Sequence, residues 1–179
     1  YNRGLMRAAA ASLPEGVTLD VVEIGGLPLM NQDLEKPAWP EAVAAFRRAL
    51  WGADAMLFAT PEYNAGIPAP LKNAVDWASR GEGIGGHTAP EGETRQQPLQ
   101  NVPAAIIGAS PGMLGTARSQ AHLKTVLLNV GMRLMPGPEA YVGSAAQKFT
   151  DGELTDEGSR KAVARVVDGL VAWAKRVRE

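Results

Sequence analysis

Two short segments of the chain combine glycine, proline and polar side chains in a pattern that suits ligand binding. Loops of this composition let the backbone approach a ligand closely, so that backbone N–H groups can donate hydrogen bonds to it. We therefore predict that the two segments, Pro61 to Ile67 and Ser110 to Gly115, form one slot for a ligand.

Other kinds of chemistry have weaker support in the sequence. The chain contains no cysteine, which excludes disulfides, thiolate catalysis, iron–sulfur clusters and the common zinc sites. Redox chemistry would therefore require a bound organic cofactor. A hydrolytic triad of Ser110, His122 and an acid is the weaker hypothesis, since we expect His122 to be structural within an apolar helix. His87 is expected to be a solvated loop histidine.

Composition limits the partners and the location of the protein. The chain has 179 residues, of which 45% are hydrophobic, and its formal net charge is -1. This length suits one domain with a sizeable core, residues 1–179, and the charge does not favour nucleic acid. No apolar run approaches the roughly 20 residues that a membrane helix needs, and no signal-peptide pattern is visible. We expect a soluble, cytoplasmic protein.

The elements that carry the two segments follow from hydrophobic patterning. Residues 55–59 and 104–109 are short apolar runs, typical of strands buried on both faces of a parallel sheet. Each run leads through one of the two segments into a helix. Two consecutive strand–loop–helix units predict a doubly wound α/β sheet, in which both loops project from the same edge.

The rest of the chain completes this pattern. Strands are expected over residues 17–24 and, at a sheet edge, over 134–142, where Pro136 and Pro138 interrupt the pairing. Further helices are expected over residues 2–12, 37–51 and 116–129, and from a cap at Thr155-Asp156-Glu157 to about Val177.

Several side chains outside the segments also carry expectations. We place Arg47 and Arg48 on the solvent face of their helix and expect Asp33 and Glu35 to be solvated. Residues 80–98 lack an apolar period and predict a long loop of the kind that forms lids or interfaces.

The first segment also carries a family resemblance. Pro61-Glu62-Tyr63-Asn64, then Ile67-Pro68, and then 71–77 (Leu-Lys-Asn-Ala-Val-Asp-Trp) resemble the NADPH-dependent FMN reductase family, which includes flavin, quinone, azo-dye and chromate reductases. The resemblance implies a flavodoxin-like sheet with strand order 2-1-3-4-5.

The resemblance also implies a cofactor and a reaction. FMN would occupy the slot, with Asn2, Pro61, Glu62, Tyr63, Asn64, Ser110, Gly112 and Gly115 as its binding residues. NADPH or NADH would bind transiently and pass a hydride to the flavin. A small-molecule acceptor such as a quinone, free flavin, azo dye or metal oxyanion would then be reduced. The flavin carries the chemistry, so no side chain is predicted to be catalytic.

The resemblance further implies a homodimer or homotetramer. Glu62 is expected to anchor its loop or to pair across a subunit interface. Arg118 is an ordinary surface charge or pairs with an acidic residue between subunits, for which Glu139 is the candidate. Lys72, Asn73 and Asp76 are expected to hold the first loop in shape, and the alternative for Tyr63 is a half-buried packing residue.

The beginning of the sequence carries one more expectation. Tyr1 is not a methionine, and the residues after it already have helical character. In the family, a first strand and a phosphate-binding loop come before this helix, so we expect about 15 to 20 further residues upstream. Asn2 would then be a helix cap beside that loop and would favour a phosphate.

Two other functions remain open at this point. A flavodoxin-type carrier would pass single electrons to a protein partner, although such carriers are strongly acidic and this chain is nearly neutral. A regulatory relative would have lost the flavin altogether.

Overall fold

The fold is built on a parallel β-sheet centred on one fully buried strand. The computed structural model describes residues 1–177. Strand β1 (Met56–Ala59) and β2 (Pro103–Ala109) pair in parallel along four residues. Every residue of β2 is buried, as expected for a strand that is covered on both faces.

The other edge of β2 is paired by an interrupted strand. Strand β3 (Arg133–Leu134) pairs with the beginning of β2, and β4 (Ala140–Val142) pairs with its end. The two pieces are separated by the segment that contains Pro136 and Pro138, whose nitrogens carry no hydrogen to donate. The predicted edge position and its interruption are both observed.

Five α-helices surround this sheet within the described residues. They are α1 (Asn2–Ala10), α2 (Glu41–Trp51), α3 (Ala69–Ala78), α4 (Ala117–Asn129) and α5 (Glu157–Arg176). A small antiparallel hairpin, β5 (Phe149–Thr150) and β6 (Glu153–Leu154), precedes α5. Asp156 caps α5 by accepting a hydrogen bond from the Ser159 amide at 2.7 Å, at the predicted position.

Two hydrophobic clusters lie on opposite faces of the sheet. Side chains of β2 alternate between them, so that Ala104 and Ile106 pack with α2, α3 and α4. Ala105 and Ile107 pack with α1 and α5 on the other face. This alternation follows from the two-residue period of a strand and confirms the doubly wound arrangement.

The predicted strand over residues 17–24 is not observed. The segment has no regular secondary structure, because no strand of the described chain lies hydrogen-bonded beside it. Its side chains still divide between the two clusters, with Val22 and Ile24 in one and Leu19 in the other. The described strands lie in the order β1, β2, then β3 and β4. The predicted order 2-1-3-4-5 includes further strands and stays a prediction.

The prediction that Arg47 faces solvent is wrong. Its side chain is fully buried, and its Nη1 donates to the carbonyl oxygens of Trp77 at 2.9 Å and Ala78 at 2.7 Å. The guanidinium also pairs with Glu82 and stacks 4.2 Å from the centre of the Trp39 ring. A basic residue on an amphipathic helix is buried here because the end of α3 and a distant loop supply its partners.

That loop covers residues 80–98 and is held down along its length. Glu82 accepts hydrogen bonds from Thr88 as well as Arg47. Glu35, predicted to be solvated, is 5% exposed and pairs with Arg80. The loop contains the spacing Gly-x-Gly-x-x-Gly from Gly81 to Gly86, but it follows a helix and no strand, so it is no dinucleotide fingerprint.

Within residues 1–177, no helix combines the length and the apolar character needed to cross a membrane.

Candidate functional site

A slot opens between the two predicted loops, where β1 and β2 end. Its volume is about 520 Å³. The first loop contributes Glu62, Asn64 and Ala65, the second contributes residues 110–115, and Arg118 at the beginning of α4 completes the lining. Both loops therefore lie at the same edge of the sheet, as predicted, and residues 80–98 do not line the slot.

The first wall of the slot is a tight turn over residues 63–66. The Gly66 amide donates to the Tyr63 carbonyl at 2.9 Å, and the Tyr63 amide donates back at 3.4 Å. Asn64 and Ala65 have φ values of 50° and 62°, the conformation of a type I′ turn. Tyr63 is 66% exposed, which contradicts its interpretation as a half-buried packing residue.

The second wall is a loop that folds back on itself. The Ser110 hydroxyl donates to the Gly115 carbonyl at 2.5 Å, and the Gly115 amide donates to the Gly112 carbonyl at 3.1 Å. Gly115 has a φ of 60°, which favours glycine. The amides of Gly112, Met113 and Leu114 donate to no group within residues 1–177, and these free donors lie in the wall of the slot.

A close contact holds the beginning of α4 against the sheet, directly after the second loop. A Cβ on Gly108 would lie 2.1 Å from the Thr116 Oγ1 and 2.3 Å from the Thr60 carbonyl oxygen. Only glycine permits this approach, because real Cβ atoms do not come within 3.0 Å of such neighbours. The Thr60 and Ser119 hydroxyls lie 3.2 Å apart across the same contact.

Glu62 joins the two walls. Its carboxylate accepts hydrogen bonds from the backbone amides of Arg118 at 3.0 Å and Ser119 at 3.1 Å, and from the Arg118 Nε at 2.7 Å. Desolvation raises the pKa of Glu62, but the hydrogen bonds from Ser119 and Arg118 outweigh it and hold the pKa below its usual value. The predicted anchoring role is observed. Within one chain, Glu139 pairs with Lys124, and the pair of Arg118 with Glu139 between subunits stays a prediction.

Asn2 lies at the same edge but does not cap its helix. Its side-chain amide donates to the Ala109 carbonyl at 3.0 Å and accepts from the Ala109 amide at 2.9 Å, while the cap position belongs to Tyr1. Asn2 thus binds the end of β2 as a neighbouring strand residue would. It ties the beginning of α1 to the rim of the slot.

With this geometry established, comparison with known proteins is informative. A sequence model of the NADPH-dependent FMN reductase family matches residues 1–147. The chain belongs to that family. It is 38% identical to the NAD(P)H-dependent FMN reductase of Pseudomonas aeruginosa, over 99% of this chain and 90% of that protein. It is 37% identical to a quinone reductase of Pseudomonas putida, over 98% and 88%.

A solved structure supports the same family at the level of the fold. The flavoenzyme NAD(P)H:(acceptor) oxidoreductase from Paracoccus denitrificans is 38% identical, with a TM-score of 0.81 over 98% of this chain and 90% of that one. The matches confirm three predictions for this FMN reductase family member: a flavodoxin-like α/β fold, an oxidoreductase activity, and a dependence on FMN and NAD(P)H.

The slot of this family member fits a planar ring that carries carbonyl oxygens. Its free amides at Gly112, Met113 and Leu114 supply donors without side-chain bulk. Met113 is 87% exposed and Leu114 60% exposed, so apolar surface stands at the mouth. These two side chains were not predicted, and the sequence signal for them is only their position between two glycines in the second loop.

The alternative hydrolytic triad is not assembled. Residues 108–112 do have the spacing Gly-x-Ser-x-Gly, which marks a nucleophile elbow in other folds. However, Ser110 is 8% exposed and its hydroxyl is engaged with Gly115. His122 lies exposed on α4 and is not the structural histidine that we predicted. His87 is exposed, as expected.

The polar residues at the beginning of α3 hold a different loop from the one predicted. Asn73 accepts a hydrogen bond from the Met30 amide at 2.7 Å and donates to the Pro28 carbonyl at 2.9 Å. Lys72 and Asp76 pair with each other. The first loop of the slot is therefore shaped by its own turn and by Glu62.

Proposed function

We propose that the protein reduces quinone-class acceptors with NAD(P)H by means of FMN held in the slot between residues 61–66 and 110–115. The observation that carries this proposal is the slot itself, with three free backbone amides in one wall and a rigid turn in the other. The quinone reductase among the relatives supports the choice of acceptor.

The residues of the slot divide into those that face the ring and those that support them. Gly112 and its two successors would donate hydrogen bonds to ring oxygens. Asn64 lines the opposite wall, with Pro61 and Tyr63 as its neighbours in the first loop. Ser110, Gly115 and Glu62 keep the loops in shape, and Asn2 places the beginning of α1 at the rim for the phosphate group. When bound, FMN supplies the redox chemistry by accepting a hydride from NAD(P)H and passing two electrons to the acceptor.

The mouth of the slot favours a flat apolar acceptor over a metal oxyanion. Met113 and Leu114 line the slot and are well exposed, as is Tyr63 in the adjoining turn, and each can shield an aromatic face from water. The Arg118 guanidinium is already paired with Glu62, so it offers little attraction to an anion. Quinones fit this surface better than chromate does.

A stopped-flow and steady-state comparison tests the proposal. FMN-loaded protein should lose its oxidised flavin absorbance on mixing with NADPH, and kcat/KM for benzoquinones should exceed that for chromate at least tenfold. Leu114→Ser should raise KM for quinones several-fold, whereas Leu128→Ser should not, although both leucines are about 60% exposed. Failure of NADPH to bleach the flavin would overturn the proposal in favour of an electron carrier.

We also propose that the protein forms a homodimer or homotetramer. The exposed Tyr63, Met113 and Leu114 around the mouth support this, since a second subunit could cover part of that apolar surface. Sedimentation velocity on the wild type and on Met113→Ser measures the outcome. A wild type that sediments as a monomer at micromolar concentration would contradict it.

A further inference from the structure

Helix α4 depends on another loop for its cap. Thr116 occupies the cap position but makes no side-chain cap hydrogen bond, because its hydroxyl accepts a hydrogen bond from the Gln120 side chain at 2.9 Å. The Arg118 and Ser119 amides in the first turn bind the carboxylate of Glu62 instead. The first amides of a helix have no acceptor within the helix, and a side chain at the cap position normally accepts their hydrogen bonds. In α4 the acceptor is a residue of the opposite wall of the slot.

This arrangement fixes the distance between the two walls near the rim. Glu62 precedes the turn of residues 63–66, and Arg118 follows the second loop by three residues. Deeper in the sheet, the Thr60 amide donates to the Ile107 carbonyl at 3.0 Å, and the Thr60 and Ser119 hydroxyls lie 3.2 Å apart. The Glu62 hydrogen bonds extend this connection to the loops above.

The same carboxylate also sets the charge beside the slot. Its side chain is 4% exposed and lines the cavity. The positive end of the α4 dipole and the Arg118 guanidinium both face it, so the negative charge is balanced locally. Without the carboxylate, these two positive features would act on whatever ring occupies the slot.

We propose that Glu62 is a positioning residue that locks the two walls at one separation and sets both the affinity and the reduction potential of bound FMN. The effect on FMN rests on the proposed function, whereas the lock between the two walls is a property of the protein alone. Neither Glu62 nor Arg118 transfers a proton or an electron in this role.

Hydrogen exchange on the apoprotein tests the lock without any cofactor. In Glu62→Ala, which removes the acceptor oxygens, the amides of Arg118 and Ser119 and those of residues 62–66 should exchange at least tenfold faster than in the wild type. Asp156→Ala is the matched control, because Asp156 is likewise a carboxylate that accepts a first-turn amide, in this case at α5. It should accelerate exchange at Ser159 and leave both slot loops unchanged.

Titration and potentiometry test the consequence for the cofactor. Glu62→Gln should weaken FMN binding about tenfold and shift the midpoint potential to a more positive value, since loss of a negative charge favours added electrons. Asp156→Asn should leave both the FMN affinity and the midpoint potential unchanged, even if it lowers the melting temperature as much as Glu62→Gln does. Arg118→Met should shift the potential in the opposite direction while keeping the exchange protection of Ser119.

The outcomes separate the two proposals. Unchanged exchange in the slot loops of Glu62→Ala would overturn the lock, and an unchanged potential with unchanged FMN affinity in Glu62→Gln would overturn its effect on the cofactor. A wild type that binds no FMN would overturn the proposed function, whereas the exchange experiment would still decide the lock. If Glu62→Ala fails to fold, Glu62→Asp, which keeps the charge but shortens the side chain, gives the exchange. If Glu62→Gln fails to fold, Arg118→Met gives the potential.

Discussion

Gly108 allows α4 to pack directly against the sheet beside the slot. The residue lies in β2, and α4 packs so closely over it that Thr116 and the Thr60 carbonyl occupy the space of a side chain. Arg118, which lines the slot, lies two residues after Thr116. A residue that does not line the slot therefore holds the beginning of α4 in place.

Gly108→Ala should therefore destabilise the protein by about 2 kcal/mol through overpacking, and it should weaken FMN binding because α4 is pushed outward. Urea unfolding of the apoprotein and fluorescence titration with FMN measure the two effects. Gly52→Ala is the control, because Gly52 ends α2 with φ -80° and has no neighbour within 4 Å of an added Cβ. It should be neutral or stabilising by less than about 1 kcal/mol. Equal effects for both variants would contradict the argument.

At the residue scale, sequence patterns succeeded where a single loop carries its own geometry. Glycine and proline content placed the loops of Glu62 and Ser110 correctly, because backbone conformation is a local property. The burial of Arg47 and Glu35 was missed because their partners, Glu82 and Arg80, are 35 and 45 residues away. The hydrophobic periodicity of a helix gives no information about a partner so far away in the sequence.

At the scale of elements, residues 80–98 act as a clamp on α2. Arg47 of α2 binds the carbonyl groups at the end of α3 and the carboxylate of Glu82. A second arginine, Arg95, donates to the Trp51 carbonyl at 3.3 Å and stacks over the Trp51 ring. A long loop without regular structure is thereby held against two helices by buried polar contacts.

Arg47→Met should cost about 3 kcal/mol or more of unfolding free energy, since it leaves the carboxylate of Glu82 buried without its cation. Arg48→Met on the same helix should change it by less than about 0.5 kcal/mol, because the Arg48 pair with Glu41 is exposed. Chemical denaturation of both apoproteins measures the difference. Proteolysis within residues 80–98 should also accelerate in Arg47→Met alone, and equal protease resistance in the two variants would argue against a clamp.

The elements themselves were largely predictable, with one instructive exception. Buried strands and amphipathic helices have a short-range hydrophobic pattern. This pattern placed β1, β2 and the five α-helices within a few residues of their observed bounds. Residues 17–24 have the alternation of a strand but form none in the described chain. Side-chain alternation predicts which face a residue takes, but a strand also requires a neighbouring backbone.

At the scale of the whole molecule, buried and paired carboxylates link stability to pH. Glu62 and Glu82 have their pKa values held below the usual range by hydrogen bonds that outweigh desolvation. The hydrogen bonds from Arg95 lower the pKa of Glu93 from its ordinary value of 4.5 to about 2. Because these folded-state values are depressed, each group stabilises the fold fully above its unfolded pKa and loses that contribution as the pH falls.

Glu93→Gln should therefore be less stable than the wild type at pH 6, and the difference should shrink as the pH falls from about 4.5 to about 2. Urea unfolding of the apoprotein across this range measures it. Glu91→Gln, an exposed change two residues away, provides the control and should show no comparable dependence. A difference between Glu93→Gln and wild type that stays constant across the range would show that Glu93 does not titrate with a depressed pKa.

The turn at residues 63–66 shows a trade-off between the stability of the fold and the shape of the slot. Ala65 holds a left-handed conformation that glycine adopts without strain, and its methyl group lines the slot. Ala65→Gly should raise the unfolding free energy by about 1 kcal/mol, as urea titration would register, yet weaken FMN binding by removing a fixed piece of wall. At this position alanine therefore gives a lower unfolding free energy than glycine would, together with a slot wall that is better shaped for FMN.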